Sequence, residues 1–198
     1  VINLRELLLS QFPELPPYLS DTIGEEFLAR LLPDKPNRVK HILGVTSFAR
    51  EVGAALDLPK LELVALAHDI GYANDLRRTG FHPLDGAIFL AHCGADDDAI
   101  HAVLHHTGAR EEAKHWPKAT TFYEIAPYRP TALDEAITFC DTQTSPVGER
   151  VTIEERISEI EGRYGLDSAP SQVMRRMQPE FMEIFGRVSA RLGTGFQL

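Results

Sequence analysis

Between Leu61 and Ile70 the chain reads LELVALAHDI, an apolar run that ends on an adjacent imidazole and carboxylate. Wound as a helix, it puts Leu61, Val64, Ala65 and His68 on one face, and Leu63, Leu66, Ala67 and Ile70 cover much of the rest. A helix apolar on most sides belongs at the centre of a protein. Gly71 reads as its C-terminal stop. His68 and Asp69 are thus carried into an interior where an unpartnered ring nitrogen or carboxylate is costly. A metal ion would supply the missing partner, and so would an ordinary hydrogen-bonded pair.

The rest of the chain is helical in pattern. Short pieces over Ile2–Leu9 and Thr22–Leu32, the second capped by Ser20 or Asp21, precede a long helix from about Asn37 to Leu56. On that helix His41, Val45, Phe48 and Val52 form one stripe, so His41 lies on the apolar face. A helix from His82 to about His92 follows a polar loop, with Pro83 near its start. The next, about Asp97 to His106, aligns Ala99, Ala102, Val103 and His106, while His101 and His105 share a neighbouring, exposed face. Asp96 to Asp98 read as cap and first-turn residues rather than a metal cluster. Gly108–Pro130 is less regular, with Trp116 and Tyr123 as packing residues. Thr131 caps a helix with Leu133, Ile137 and Asp141 near one stripe, and amphipathic helices over Val151–Tyr164 and Ala169–Leu192, the latter one or two, complete the chain. No period-two alternation appears, and the fold expected is an all-α bundle.

A chain of 198 residues suits a single domain, with a helical core over residues 36–146 and a C-terminal helical extension over 150–198. A net charge of −9 without a basic stripe argues against a nucleic-acid duplex as partner, although bound cations would still admit a small phosphorylated substrate. Cys93 and Cys140 are too few for a disulfide scaffold. Neither a membrane-length apolar run nor a leader pattern is read, which gives the expectation of a cytoplasmic protein without a membrane partner. The apolar stripes of the C-terminal helices serve either a homodimer or packing against the core.

All eight histidines fall between His41 and His115, and several share apolar stripes with Asp69 and Asp141 on separate helices. Packed as a bundle, those stripes converge. His41, His68, Asp69 and Asp141 then offer two nitrogens and two carboxylates, a set suited to a divalent cation. His82 and His106 supply a second cation, with Asp69 as the bridge. Each residue also has an ordinary reading: a hydrogen-bonded core histidine, a capping Asp69, an Asp141 paired with an arginine. His101 and His105 read as surface histidines, and His92 and His115 have no claim.

The order RVKHILGVTSFA, LAHDIGY, FHPLDGAIFLA, AVLHHTGA and EAITFCDTQTSP resembles the HD-domain superfamily of metal-dependent phosphohydrolases over about residues 36 to 146. HPLDGA and HHTG are similar to the small dinuclear subgroup that includes bacterial diadenosine tetraphosphatases. The resemblance implies His41, His68, Asp69 and Asp141 as first-metal ligands, His82 and His106 as the additional ones, and iron, manganese, cobalt, nickel or zinc as the metal. It implies hydrolysis of a nucleotide or similar small phosphorylated compound by metal-activated water, with Asp69 central to catalysis. Many members carry a phosphate-contacting lysine just after the His-Asp pair; here Tyr72 stands there. Phosphate contacts are therefore expected from Arg77, Arg78, Arg110 or Lys118, or from the metals alone, and proton transfer from Asp75, Asp85 or His105. Two rival readings are a catalytically silent nucleotide-binding or regulatory module, and a di-iron oxygenase of the same fold.

Overall fold

The computed structural model describes residues 3–18 and 21–196. It is all-α. The helices are α1 (Leu4–Gln11), α2 (Glu25–Leu31), α3 (Pro36–Leu56), α4 (Leu61–Ala67), α5 (His82–His92), α6 (Asp97–His105), α7 (Ala109–Glu112), α8 (Pro117–Ile125), α9 (Ala132–Thr142), α10 (Ile153–Tyr164) and α11 (Ala169–Leu192). Among the described residues the one extended pairing is an isolated bridge between Thr144 and Arg150. Among the described residues no helix is long and apolar enough to cross a membrane.

The core forms where apolar stripes meet. α3 begins with Pro36 in its first turn, ends on a left-handed Asp57, and buries Ile42, Val45, Phe48, Ala49 and Val52. It packs on α4 and α9, and α5 packs on α6. α9 starts from a capping box in which Thr131 and Asp134 satisfy each other's backbone N–H groups. It then threads between α3, α4 and α6 with nearly every residue buried. Asp97 accepts from the Leu4 and Arg5 N–H groups at 2.9 and 3.0 Å, which anchors α1, while Asp96 caps α6 through the Ala99 N–H at 3.1 Å. Capping, not metal binding, is what the acidic run does here.

The C-terminal pair makes its own small cluster, in which Ile153, Ile157 and Ile160 of α10 face Val173, Met174, Met177 and Phe181 of α11. Phe185 joins this cluster to the main core, and α11 also lies across α3 and α9. Pro179 is accommodated inside α11, which runs as one helix.

Several element boundaries differ from the expectation. Ile2 and Ser20 lie outside the described residues. The second helix starts at Glu25 with Gly24 as its cap, and Asp21 instead pairs with Arg30. Part of the irregular stretch after Gly108 is helical as α7 and α8; Tyr123 is anchored through its hydroxyl to the Leu104 carbonyl, while Trp116 packs against Phe81 and is still 39% exposed. The central helix stops at Ala67, and Ile70–Tyr72 forms a single 3₁₀ turn, so His68 and Asp69 stand at a bend rather than inside a cylinder. Gly71 is not a left-handed stop. A Cβ there would lie 2.0 Å from the His82 carbonyl oxygen, so this glycine lets the start of α5 press against the His68–Asp69 bend.

Candidate metal centre

Four segments aim side chains at the bend. α3 carries His41, α5 opens with His82, the turn after α6 holds His106, and α9 ends with Asp141. Ligand atoms of His41, His68 and Asp141 lie within 4.8 Å of one another, and so do those of Asp69, His82 and His106. Asp69 faces both groups. Its Oδ2 is 3.4 Å from His68 Nε2 and 3.7 Å from His41 Nε2, and its Oδ1 is 3.3 Å from His82 Nε2 and 3.9 Å from His106 Nε2. The six residues expected as ligands are therefore brought together as two groups that adjoin across one carboxylate.

Backbone carbonyls fix three of the rings. His41 Nδ1 donates to the Ser145 carbonyl at 3.1 Å, His68 Nδ1 to Ala65 at 2.7 Å, and His106 Nδ1 to Val103 at 2.6 Å. A carbonyl only accepts, so Nδ1 carries the proton and Nε2 turns a lone pair to the centre. The Ser145 contact depends on Gly44 and Gly148. A Cβ on Gly44 would lie 2.4 Å from the Gly148 Cα, and Gly148 itself has φ +88°, so α3 and the loop after α9 meet without a side chain between them.

The donor set fits a divalent cation. His68 Nε2 is fully buried and has no hydrogen-bond partner. His41 Nε2 turns its lone pair to Asp141 Oδ1 only 2.9 Å away, a contact that requires a proton or a cation. Against the penalty of burial, Arg38 and His68 hold the Asp69 carboxyl well below the usual carboxylate range. His41 and His68 likewise depress Asp141 despite its burial. Burial, and then the neighbouring cationic groups, push His82 and His106 down and keep those rings neutral. Ionised carboxylates and neutral imidazoles are the forms that coordinate metal. His68 is raised, because Asp69 and Asp141 together outweigh its burial, so positive charge is favoured at that nitrogen.

The centre opens into a cavity of about 130 Å³ walled by Arg38, Tyr72, Glu112, Thr107 and residues of α10 and α11. Arg38 stands one turn before His41, pairs with Asp69, and lies 4.3 Å from the centre of the Tyr72 ring. Tyr72 in turn stacks on His82 at 4.0 Å and 14°. The cation beside the His-Asp pair therefore comes from α3, and Tyr72 clamps it. The Thr107 hydroxyl donates to Asp141 Oδ2, from a backbone in the left-handed region at φ 44°.

The cations expected on sequence proximity are elsewhere. Arg77 is exposed, and Arg78 gives its backbone N–H to Asp85; neither lines the cavity. Arg110 is paired with Glu180 and lies over Tyr128. The side chain of Lys118 falls outside the described residues. Of the expected proton carriers, Asp85 accepts from Arg78, Thr79 and Gly80 and shapes the loop, while Asp75 accepts from the Tyr18 hydroxyl. His105 is buried, not exposed, between Tyr123 and Tyr128, and burial pushes it down to about 3. His101 pairs with Asp134 at 3.0 Å.

Sequence reasoning missed Glu112. Among the described residues it is the one acid on the cavity wall besides Asp69 and Asp141, and its carboxyl has no hydrogen-bond partner there. Burial, reinforced by Asp69, raises it to about 7.

A buried His/Asp constellation in a helical bundle, open to a cationic cavity, defines a helical domain with two groups of side chains that could hold metal. The HD domain family model matches residues 38–158, more than half of the chain, and the chain belongs to that family. HD domains bind divalent metals and are typically metal-dependent hydrolases. No curated protein and no solved structure matches the chain.

Proposed function

We propose that this protein is a phosphohydrolase that cleaves a phosphoester or phosphoanhydride bond of a nucleotide or similar small phosphorylated compound. The observation that carries the reading is the placement of Asp69, one carboxylate oxygen toward each of two ligand groups. His41, His68 and Asp141 would hold one divalent cation, His82 and His106 a second, and Asp69 would bridge them. Such a pair supplies charge neutralisation at phosphoryl oxygens and an acidified water. The likeness of HPLDGA and HHTG to the dinuclear subgroup supports two cations rather than one.

The chain's own residues contribute the rest. Arg38, held by Tyr72 at the cavity wall, offers a fixed guanidinium to a phosphoryl oxygen. Thr107 keeps Asp141 oriented toward His41. Glu112 holds a proton near neutrality and is placed on the wall to pass it to the leaving oxygen.

The test is elemental analysis of protein purified without chelator, followed by an anaerobic screen of nucleotides, dinucleoside polyphosphates and sugar phosphates. The expected result is two metals per chain, one after His106→Ala, with hydrolysis that needs no oxygen. A fully metallated chain that hydrolyses nothing across the panel would overturn the reading, and activity that requires dioxygen would turn it toward oxygenase chemistry.

Glu112→Gln should lower kcat about 10²-fold for substrates with alkoxide leaving groups and far less for 4-nitrophenyl phosphate, whose leaving group needs no proton. The acid form is the active one, so wild-type kcat/KM falls as pH rises through the Glu112 value, about 7 and lower once cations draw it down. The variant should lose that alkaline limb. An unchanged pH profile would remove Glu112 from the proton path.

A further inference from the structure

Beside the cavity over the His/Asp groups lies a second one of about 390 Å³. The two share Arg38, Tyr72, Arg156, Arg163 and Tyr164 as a common wall, and the second adds Lys35. Four cationic side chains thus border one recess of a chain whose net charge is −9. Arg38 is paired with Asp69, and beyond that pair the acidic compensation is thin. Asp34 lies 2.8 Å from Lys35 and is mostly exposed. Glu159 is the single carboxylate that meets both Arg156, at 2.6 Å, and Arg163.

Arg156 is the more telling of the two. Its side chain is only 11% exposed, yet Glu159 accepts from just one of its nitrogens. A guanidinium has five N–H donors in a rigid fork, so most of this fork borders the recess with no acceptor among the described residues. α10 is well fixed for such a task, because Ile153, Ile157 and Ile160, which lie beside Arg156 on the helix, are packed against α11. Tyr164, half exposed at the mouth, adds an aromatic face with Arg163 lying 5.2 Å from its centre.

We infer that the second cavity is an anion subsite for the leaving group, in which Arg156 and Arg163 bind a phosphate beyond the one that is cleaved. The inference rests on the phosphohydrolase reading for the identity of the neighbouring cavity. It narrows the substrate class to compounds that keep a phosphate on the departing side, such as nucleoside oligophosphates, over simple monoesters. Arg156 and Arg163 are specificity-determining residues, since neither is needed to hold the cations or the scissile phosphoryl group.

The test uses the full metallated chain and the Arg156→Ala/Arg163→Ala variant in two assays. In the first, kcat/KM is measured for 4-nitrophenyl phosphate and for adenosine 5′-diphosphate, whose departing nucleotide retains a phosphate. The variant should lose about 10-fold or more on the diphosphate and stay within about threefold on the monoester. In the second, calorimetry compares inorganic pyrophosphate with orthophosphate; the wild-type preference for pyrophosphate should vanish in the variant and return in part in Arg156→Lys/Arg163→Lys. Equal losses on both substrates, or an undiminished preference for pyrophosphate, would overturn the subsite. Hydrolysis of neither substrate by the wild type would count against the phosphohydrolase reading alone, and the calorimetric arm would still decide the subsite. Unchanged metal content and thermal midpoint in the variants exclude a folding defect.

Discussion

Asp69→Ala will remove both metals and reduce turnover by at least about 10³-fold, more than any other single substitution in the centre. The expectation follows from position. His41, His68 and Asp141 could each be lost at the expense of one ligand group, as could His82 and His106, but Asp69 presents an oxygen to each group. Its removal also leaves the mostly buried Arg38 guanidinium without its carboxylate. Asp69→Asn keeps the volume and still lacks the charge, so it should behave like the alanine variant in metal content while unfolding at a higher temperature. Elemental analysis and steady-state kinetics on the same preparations check both. A variant that keeps two metals per chain would end the bridging role for Asp69.

Gly71→Ala should destabilise the fold by about 3 kcal/mol or more, an unusual cost for adding one methyl group. The new Cβ would meet not a movable side chain but the His82 carbonyl at 2.0 Å and the Gly86 backbone nitrogen at 2.7 Å. Relief requires α5 to back away from the bend, and His82 is its first residue. Metal content should therefore fall toward one per chain together with the denaturation midpoint. Gly162→Ala is the matched control. That glycine is exposed in α10 with nothing within 4 Å of a Cβ, and the exchange should be neutral or stabilise by about 0.5–1 kcal/mol. Equal midpoints for the two variants would refute the close-approach argument.

The helical fold and the convergence of the six histidine and aspartate side chains were legible because periodicity records which side of a helix is wet. His41, Val45, Phe48 and Val52 share one stripe in the sequence and are all buried in the structure. The residues that surround the centre were much less legible. Arg77 and Arg78 are near His68 in sequence, but the backbone from Arg78 to Gly80 turns to wrap Asp85. Arg38 was readable in principle, standing three residues before His41 on the same helix and therefore on nearly the same face. Arg156 and Arg163 come from a helix whose alternating charges look like an ordinary solvated surface. Their direction depends on how α10 settles on α11, which local pattern does not encode. Glu112 follows two residues with positive φ, Thr107 and Gly108, where helical periodicity loses its phase. His105 was misread for a related reason: the face it occupies is covered by α8 and the segment after it, a cover hidden among prolines.

Helices α3 and α9 join the centre through His41 and Asp141, which sit 2.9 Å apart across a hundred residues of chain. For a ribosome making this protein from its N-terminus, that separation is a schedule. His41 and His68 are synthesised early and Asp141 late, and the Ser145 carbonyl that sets the His41 tautomer emerges later still. A nascent chain that ends before α9 offers His41, His68 and Asp69 without Asp141, and α3 and α4 lack the helix that packs on both. The group of His41, His68 and Asp141 thus closes only in molecules that have been made past Ser145 and folded back onto α3.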